Sequence, residues 1–137
     1  MKASELRVIS ENRYAEIYQT TVESLKSLGT YKGEFSPLIC RYAEMRLQHE
    51  ILMQQWYESS CKITERYTNK AGATNRRKTA LYQSIENLRR ELLEVENTLG
   101  MTPAGIKRIN HAALKGKTAS KLEEMLGKAV NGGDDMS

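Results

Sequence analysis

The stretch from Leu81 to Pro103 carries the most regular alternation of apolar and polar positions in the chain. Its apolar residues recur at alternating steps of four and three, which places them on one narrow stripe of a helix. Gly100 ends the stripe, because glycine adopts the left-handed conformation that a C-terminal cap requires. Thr102 and Pro103 then predict the start of another helix, as N-cap and first-turn residue. The stripe consists of Leu81, Ile85, Leu88, Leu92, Val95 and Leu99.

Two more helices are predicted before this stretch. The segment from Ser4 to Leu28 contains no Gly or Pro and spaces its apolar residues helically, and Gly29 is expected to cap it. After a loop, Ser36 and Pro37 predict the N-cap and first turn of a second helix. No breaker follows until about Tyr67, so we expect a helix roughly 45 Å long. Its stripe comprises Leu38, Tyr42, Met45, His49, Leu52, Trp56, Ile63 and Tyr67.

The small and polar residues 69–75 predict a loop, after which a helix starting near Arg77 folds back antiparallel. The two apolar stripes then meet as the seam of a helical hairpin. We predict that this seam forms the core and the contact between copies of the chain. The seam residues are Tyr42, Met45, Leu52, Trp56, Leu81, Ile85, Leu88, Leu92, Val95 and Leu99.

The C-terminal region predicts a pair of helices in the outline of a helix-turn-helix. A short helix is expected over 103–114, a turn over 115–118 and a last helix from Ser120, where Glu123 has capping-box spacing. The predicted fold is therefore all-α, with an N-terminal helix, a long antiparallel hairpin and this C-terminal pair. The predicted regions are 1–35, the hairpin and oligomerisation core 36–100, the pair 101–131 and a flexible tail 132–137.

Composition limits how large the core of a single chain can be. The 137 residues correspond to one domain, and they are 39% hydrophobic and 28% charged. Since this core is modest for the length, we expect the chain to complete it with copies of itself. Cys40 and Cys61 are expected on the same helix, roughly 30 Å apart, too far to form a disulfide. Free thiols, no membrane span and no signal-peptide core predict a cytoplasmic protein.

The net charge of +4 is concentrated in one segment. Residues 62–90 hold eight Lys or Arg and two Asp or Glu, a net charge of +6. Six of these cations fall near the tip of the predicted hairpin, namely Lys62, Arg66, Lys70, Arg76, Arg77 and Lys78. Such a patch is typical of a protein that binds a polyanion such as nucleic acid. The alternative is a solvated, highly charged helix surface.

No group of residues predicts catalysis, a metal or a cofactor. Gly116-Lys117-Thr118 resembles the end of a phosphate loop, but the required earlier glycine and preceding strand are missing. His49 falls on an apolar stripe without metal-ligand spacing, so a partly buried structural histidine is expected. The C-terminal pair carries Lys107, Arg108, Lys115, Lys117 and Lys121, which could contact phosphates without reading sequence. The alternative is a helical pair that docks on the core or on a partner.

The second helix of the hairpin and the segment after it resemble the small terminase subunits of tailed phages and prophages. Leu99-Gly100-Met101-Thr102-Pro103 and Arg108-Ile109 fit the family's ending, and Arg41-Tyr42-Ala43 and the small polar connector before Arg76 also fit. The resemblance covers Phe35 to Ile109. It departs at Gly105, where serine is usual, and at Ile106, where arginine is usual.

The resemblance implies a non-enzymatic DNA-packaging component. Small terminase subunits assemble into rings, bind double-stranded viral DNA at the packaging start site, and recruit and regulate the large subunit, which holds the ATPase and nuclease. Two other classes compete with this hypothesis. One is a coiled-coil adaptor that binds only protein, and the other is a small transcription regulator that reads a palindromic site. We predict DNA contacts from Lys70, Arg76, Arg77, Lys78, Lys107, Arg108, Lys115 and Lys117.

Overall fold

The computed structural model describes residues 2–134, without the side chains of residues 113, 117–119 and 128–134. The chain is mostly helical, with one small antiparallel sheet of two strands. The elements in order are α1 (Ala3–Leu28), a 3-10 turn (Gly33–Phe35), α2 (Ser36–Glu58), β1 (Thr64–Thr68), β2 (Thr74–Lys78), α3 (Ala80–Leu99) and α4 (Pro103–Asp134).

Helices α1, α2 and α3 pack together around one apolar core. The predicted α1 and the stripe on α3 are confirmed, and Gly29 and Gly100 cap these helices with φ of 75° and 74°. The hydroxyl of Tyr18 on α1 bonds to Ser36 Oγ at the start of α2 over 3.0 Å. The buried residues of the core are Val22, Leu25, Ile39, Tyr42, Leu88, Leu92 and Leu99.

Helix α2 ends nine residues before the predicted Tyr67, so the prediction of one unbroken helix is wrong. The Ser59 hydroxyl donates to the Trp56 carbonyl over 2.6 Å, and Ser60 and Cys61 have positive φ of 63° and 58°. These backbone conformations turn the chain out of the helix. Ile63 therefore lies beyond the α2 stripe and is exposed, as is Tyr67.

A β-hairpin occupies the segment in which the sequence predicts a helix end and a loop. Thr64 pairs with Lys78 and Thr68 with Thr74, and the turn between them is closed by Asn69. Its side-chain oxygen accepts the backbone N–H groups of Ala71 and Ala73, each over 3.0 Å. Helix α3 consequently begins at Ala80, capped by the Thr79 hydroxyl, and not near Arg77.

The C-terminal region is a single helix, so the predicted helix-turn-helix-like pair is wrong. Residues 115–118 lie inside α4 and form no turn, and Ser120 is an interior helical residue. The predicted N-cap is confirmed, since Thr102 Oγ1 accepts the N–H of Gly105 over 3.0 Å. The predicted tail begins within α4, which continues to Asp134, and residues 135–137 lie outside the described residues.

Gly105 marks the closest approach of α4 to the end of α3. A Cβ at this position would overlap the carbonyl oxygen of Asn97 and lie 3.0 Å from the Asn97 Cα. Asn97 also accepts a short hydrogen bond from the Thr102 hydroxyl. The departure from serine at position 105 thus has a local reason, because glycine lets α4 pack directly on the α3 backbone.

Both cysteines are free thiols, as predicted, but they do not share a helix. Cys40 lies in α2, while Cys61 follows the end of α2 and is exposed. Among the described residues, no helix is long and apolar enough to cross a membrane.

Candidate nucleic-acid interface

The register of the β-hairpin sorts the basic segment onto two faces. Directly paired residues of an antiparallel ladder point to the same face, and the face alternates along each strand. One face therefore carries Thr64, Arg66 and Thr68 from β1 with Lys78, Arg76 and Thr74 from β2. The other face carries Glu65 and Tyr67 opposite Arg77 and Asn75. We call the first of these the basic face of the hairpin.

The basic face places cations beside one another. Arg66 is paired directly with Arg76, and Lys78 follows on the same face. Like charges in direct cross-strand pairs destabilise a sheet. Arg76 Nε donates to Thr64 Oγ1 over 3.3 Å, and neither arginine forms an ion pair within the described part of the chain. Their positive charge is therefore open to an external anion.

On the opposite face, the arginine charge is compensated inside the hairpin. Arg77 Nε bonds to Glu65 Oε1 over 3.2 Å, and its guanidinium lies 4.2 Å from the ring centroid of Tyr67. At the edge of the hairpin, Lys78 Nζ bonds to Glu86 Oε2 of α3 over 2.8 Å. These exposed contacts are weak individually. They nonetheless distinguish Arg77 and Lys78 from the uncompensated Arg66 and Arg76.

The four hairpin residues predicted to contact DNA thus lie together in space, but in different surroundings. Lys70 is exposed in the turn, while Arg76, Arg77 and Lys78 are exposed on β2. Arg66 belongs to the same basic segment, and the sequence alone does not single it out. Only the strand register reveals that it faces Arg76.

The predicted contacts on α4 form a separate group. Lys107, Arg108 and Lys115 are exposed and fall within an arc of about 100° on the helix. The side chain of Lys117 lies outside the described residues. The β-hairpin precedes α3 and α4 follows it, so the 20 residues of α3 separate these cations from the hairpin along the chain.

The residues predicted for the seam lie between α2 and α3. Ile85, Leu88 and Leu92 are buried with Tyr42 and Leu99, while Met45, Leu52 and Val95 pack partly buried against the core. Trp56 and Leu81 are half-buried. Within one chain these residues form the hairpin core, and their predicted role between copies stays a prediction.

Polar groups enter this seam at one place. The hydroxyl of the buried Tyr42 donates to Glu96 Oε1 over 3.2 Å and accepts from Arg46 over 3.1 Å. Burial raises the pKa of Tyr42, although the nearby Arg46 opposes the shift. His49 is half-buried, and its pKa is lowered by burial and by the charges of Arg89 and Arg46. Within the described residues, no three His, Cys, Asp or Glu side chains cluster as metal ligands would.

The fold and the basic hairpin define a small, mostly helical protein with an exposed cationic β-ribbon. The family model described as phage terminase, small subunit, matches residues 15–115, which is well over half of the chain. The chain therefore belongs to the phage terminase small subunit family, which supports a role connected with genome packaging. No curated protein and no solved structure shows significant similarity to it.

Proposed function

We propose that this chain is the packaging subunit that holds viral DNA through the basic face of its β-hairpin. It assembles with copies of itself and brings the DNA to the large terminase subunit, which supplies the ATPase and nuclease. The observation that carries the proposal is the direct pairing of Arg66 with Arg76 on an exposed ribbon. A direct pair of like charges does not stabilise the sheet by itself. Bound phosphate groups would offset the repulsion between the two guanidinium groups.

The dimensions of the hairpin suit double-stranded DNA. Each strand has five residues, which span about 17 Å at 3.4 Å per residue. The major groove of B-DNA admits a two-stranded ribbon of this kind. Arg66, Arg76 and Lys70 would contact phosphates along its edges and position the protein without specifying sequence. Lys107, Arg108 and Lys115 of α4 are proposed as a second set of phosphate contacts.

The two competing classes are less well supported. A regulator that reads a palindrome through the C-terminal pair loses its recognition element, because α4 is continuous through residues 115–118. An adaptor that binds only protein leaves the uncompensated arginines of the basic face without a function.

Excision of the hairpin tests the proposal. The Thr79 N–H donates to the Ile63 carbonyl over 2.9 Å, so a short Gly-Ser linker can replace residues 64–78 without separating α2 from α3. We expect the excised protein to keep its helical content and native mass. Its affinity for viral DNA should fall by roughly tenfold or more at about 0.1 M salt, since the phosphate contacts are lost.

The large subunit provides a second measurement. DNA-stimulated ATPase activity of the large subunit should depend on the intact hairpin, because the excised protein no longer delivers DNA. A matched variant in which Gly-Ser residues replace only residues 71–73 keeps Lys70 and the Arg66–Arg76 pair, and should bind DNA as the intact chain does. An excised protein that binds DNA as tightly as the intact chain would overturn the proposal.

A further inference from the structure

A groove on the surface between α2 and α3 collects positive charge away from the β-hairpin. Its volume is about 400 Å³, and it is lined by Arg46, His49, Arg89, Leu92, Leu93 and Glu96. Two guanidinium groups therefore border one concave site, at the place where polar side chains enter the seam.

Neither arginine of the groove is neutralised within the described residues. Arg89 contacts Met53 Sδ over 3.5 Å, and Arg46 donates to the Tyr42 hydroxyl over 3.1 Å. Neither arginine forms an ion pair with a described residue. By contrast, Arg13 of α1 binds Glu50 of α2 over 2.6 Å. The groove thus has two guanidinium groups that form no ion pair in the described part of the chain, although the Glu96 carboxylate lines the same groove.

His49 adds an unsatisfied polar atom to the same groove. Its Nε2 is buried and has no hydrogen-bond partner in the described part of the chain. Buried polar atoms in folded proteins nearly always have one. An oxygen that entered the groove would supply this partner while it contacted the two arginines.

The groove suits a carboxylate better than a phosphate. Its wall includes the carboxylate of Glu96, which would repel a doubly charged group. Leu93 beside it is 53% exposed. Arginine side chains are enriched in protein–protein contacts, so two of them around one groove favour a protein partner.

The same chain presents carboxylates on another side of α3. Glu91 and Glu94 are exposed, and neither forms an ion pair within the described residues. Glu91 follows Arg89 by two residues, which places it about 200° around the helix. The α2–α3 hairpin therefore has a basic groove on one flank and an acidic edge on the other.

We propose that the groove at Arg46 and Arg89 receives the Glu91 carboxylate of a second copy of this chain. The contact joins unlike flanks head to tail, and such contacts close into rings when the rotation per subunit permits. This inference rests on the self-assembly part of the proposed function. It adds the residues that join neighbouring copies.

Charge exchange between copies tests the contact. Arg89→Glu and Glu91→Arg should each shift the native mass, measured by light scattering after size exclusion, from a multi-subunit species to smaller ones. A double variant that carries both changes in one chain should restore the large species, because every groove then meets an edge of opposite charge whatever the number of subunits. Circular dichroism and melting of each variant verify that both remain folded.

Arg90→Glu is the matched control. It makes the same charge change one residue away, about 100° around α3, where Arg90 bonds to Asn87 over 2.5 Å. We expect it to keep the wild-type mass. The proposal is overturned if Arg89→Glu assembles as the wild type does, or if the double variant fails to recover the large species. It is also overturned, in favour of a phosphate site, if Arg89→Glu weakens DNA binding at unchanged mass.

The wild-type mass separates failure of this contact from failure of the proposed function. A wild-type monomer would contradict both the contact and the proposed self-assembly. A multi-subunit wild type that is insensitive to the charge changes would contradict only the contact.

Discussion

The salt dependence of DNA binding gives the sharpest prediction for the basic face of the hairpin. The variant Arg66→Gln with Arg76→Gln removes two charges that form no ion pair in the described part of the chain. Each lost phosphate contact lowers the slope of log K against log salt concentration by about 0.9 in magnitude. We therefore expect a slope smaller by about 1.8 for each hairpin bound to DNA.

This difference in slope converts into a measurable difference in affinity. Between about 50 and 200 mM salt, a slope change of about 1.8 alters the ratio of affinities by roughly tenfold. The DNA affinity of the wild type should therefore greatly exceed that of the variant at low salt and approach it at high salt. Fluorescence anisotropy with a labelled DNA duplex over a series of salt concentrations measures both quantities.

Arg77→Gln is the control for this experiment. It removes the same charge from the same strand, but Arg77 is already held by Glu65 and lies against the Tyr67 ring. For Arg77→Gln, the slope of log K against log salt concentration should differ from that of the wild type by clearly less than one unit per hairpin. Equal slopes for wild type and the double variant would refute the assignment of the basic face, and so would a larger effect of Arg77→Gln.

Three predictions concern the fold that presents this surface. Leu92→Ala should lower the free energy of unfolding by about 2–5 kcal/mol in urea titrations, because Leu92 is only 6% exposed; a loss under about 1 kcal/mol would contradict the described core. Gly105→Ala should cost about 1–3 kcal/mol, while Gly116→Ala, which meets nothing within 4 Å, should gain up to about 1 kcal/mol. Arg13→Gln should lower the melting temperature modestly at neutral pH. The difference in melting temperature between wild type and variant should disappear as the pH falls below about 4.5. Arg13 lowers the pKa of Glu50, and their ion pair is lost once Glu50 is protonated. A difference that stays constant with pH would contradict this reasoning.

Helical periodicity was sufficient to predict the elements that form the core. The stripe from Leu81 to Leu99 places Ile85, Leu88 and Leu92 in the interior, because one buried face of a helix repeats at a fixed spacing. Gly100 and Thr102 mark the boundary between α3 and α4 because a left-handed C-cap and an N-cap hydrogen bond are local features of the backbone. These signals need no knowledge of tertiary contacts.

The β-hairpin could not be predicted from an apolar pattern, because its strands bury little. Ile63 and Tyr67 happened to continue the heptad of α2, so the periodicity extended a helix that Ser59 and Ser60 had already ended. The available signals were the β-branched residues of β1 and the Asn and Gly of the turn. The concentration of charge is a property of the sequence itself, since counting cations does not depend on secondary structure.

The cross-strand pairs of the candidate interface could be assigned only from the register of the two strands. The sequence shows six cations near one loop, but not that Arg66 faces Arg76 while Arg77 faces Glu65. Likewise, Gly116 predicted a turn, although a glycine inside a long helix costs only about 1 kcal/mol and can be accommodated.

Site-specific crosslinking tests whether the β-hairpin holds the DNA. A photo-reactive residue would replace Lys70 in the hairpin turn, and in a separate protein Lys115 on α4, each in an otherwise unchanged chain. We expect efficient crosslinking of viral DNA from position 70, at salt concentrations where the wild type binds. Crosslinks from position 115 without any from position 70, or none from either, would contradict the claim that the hairpin holds the DNA.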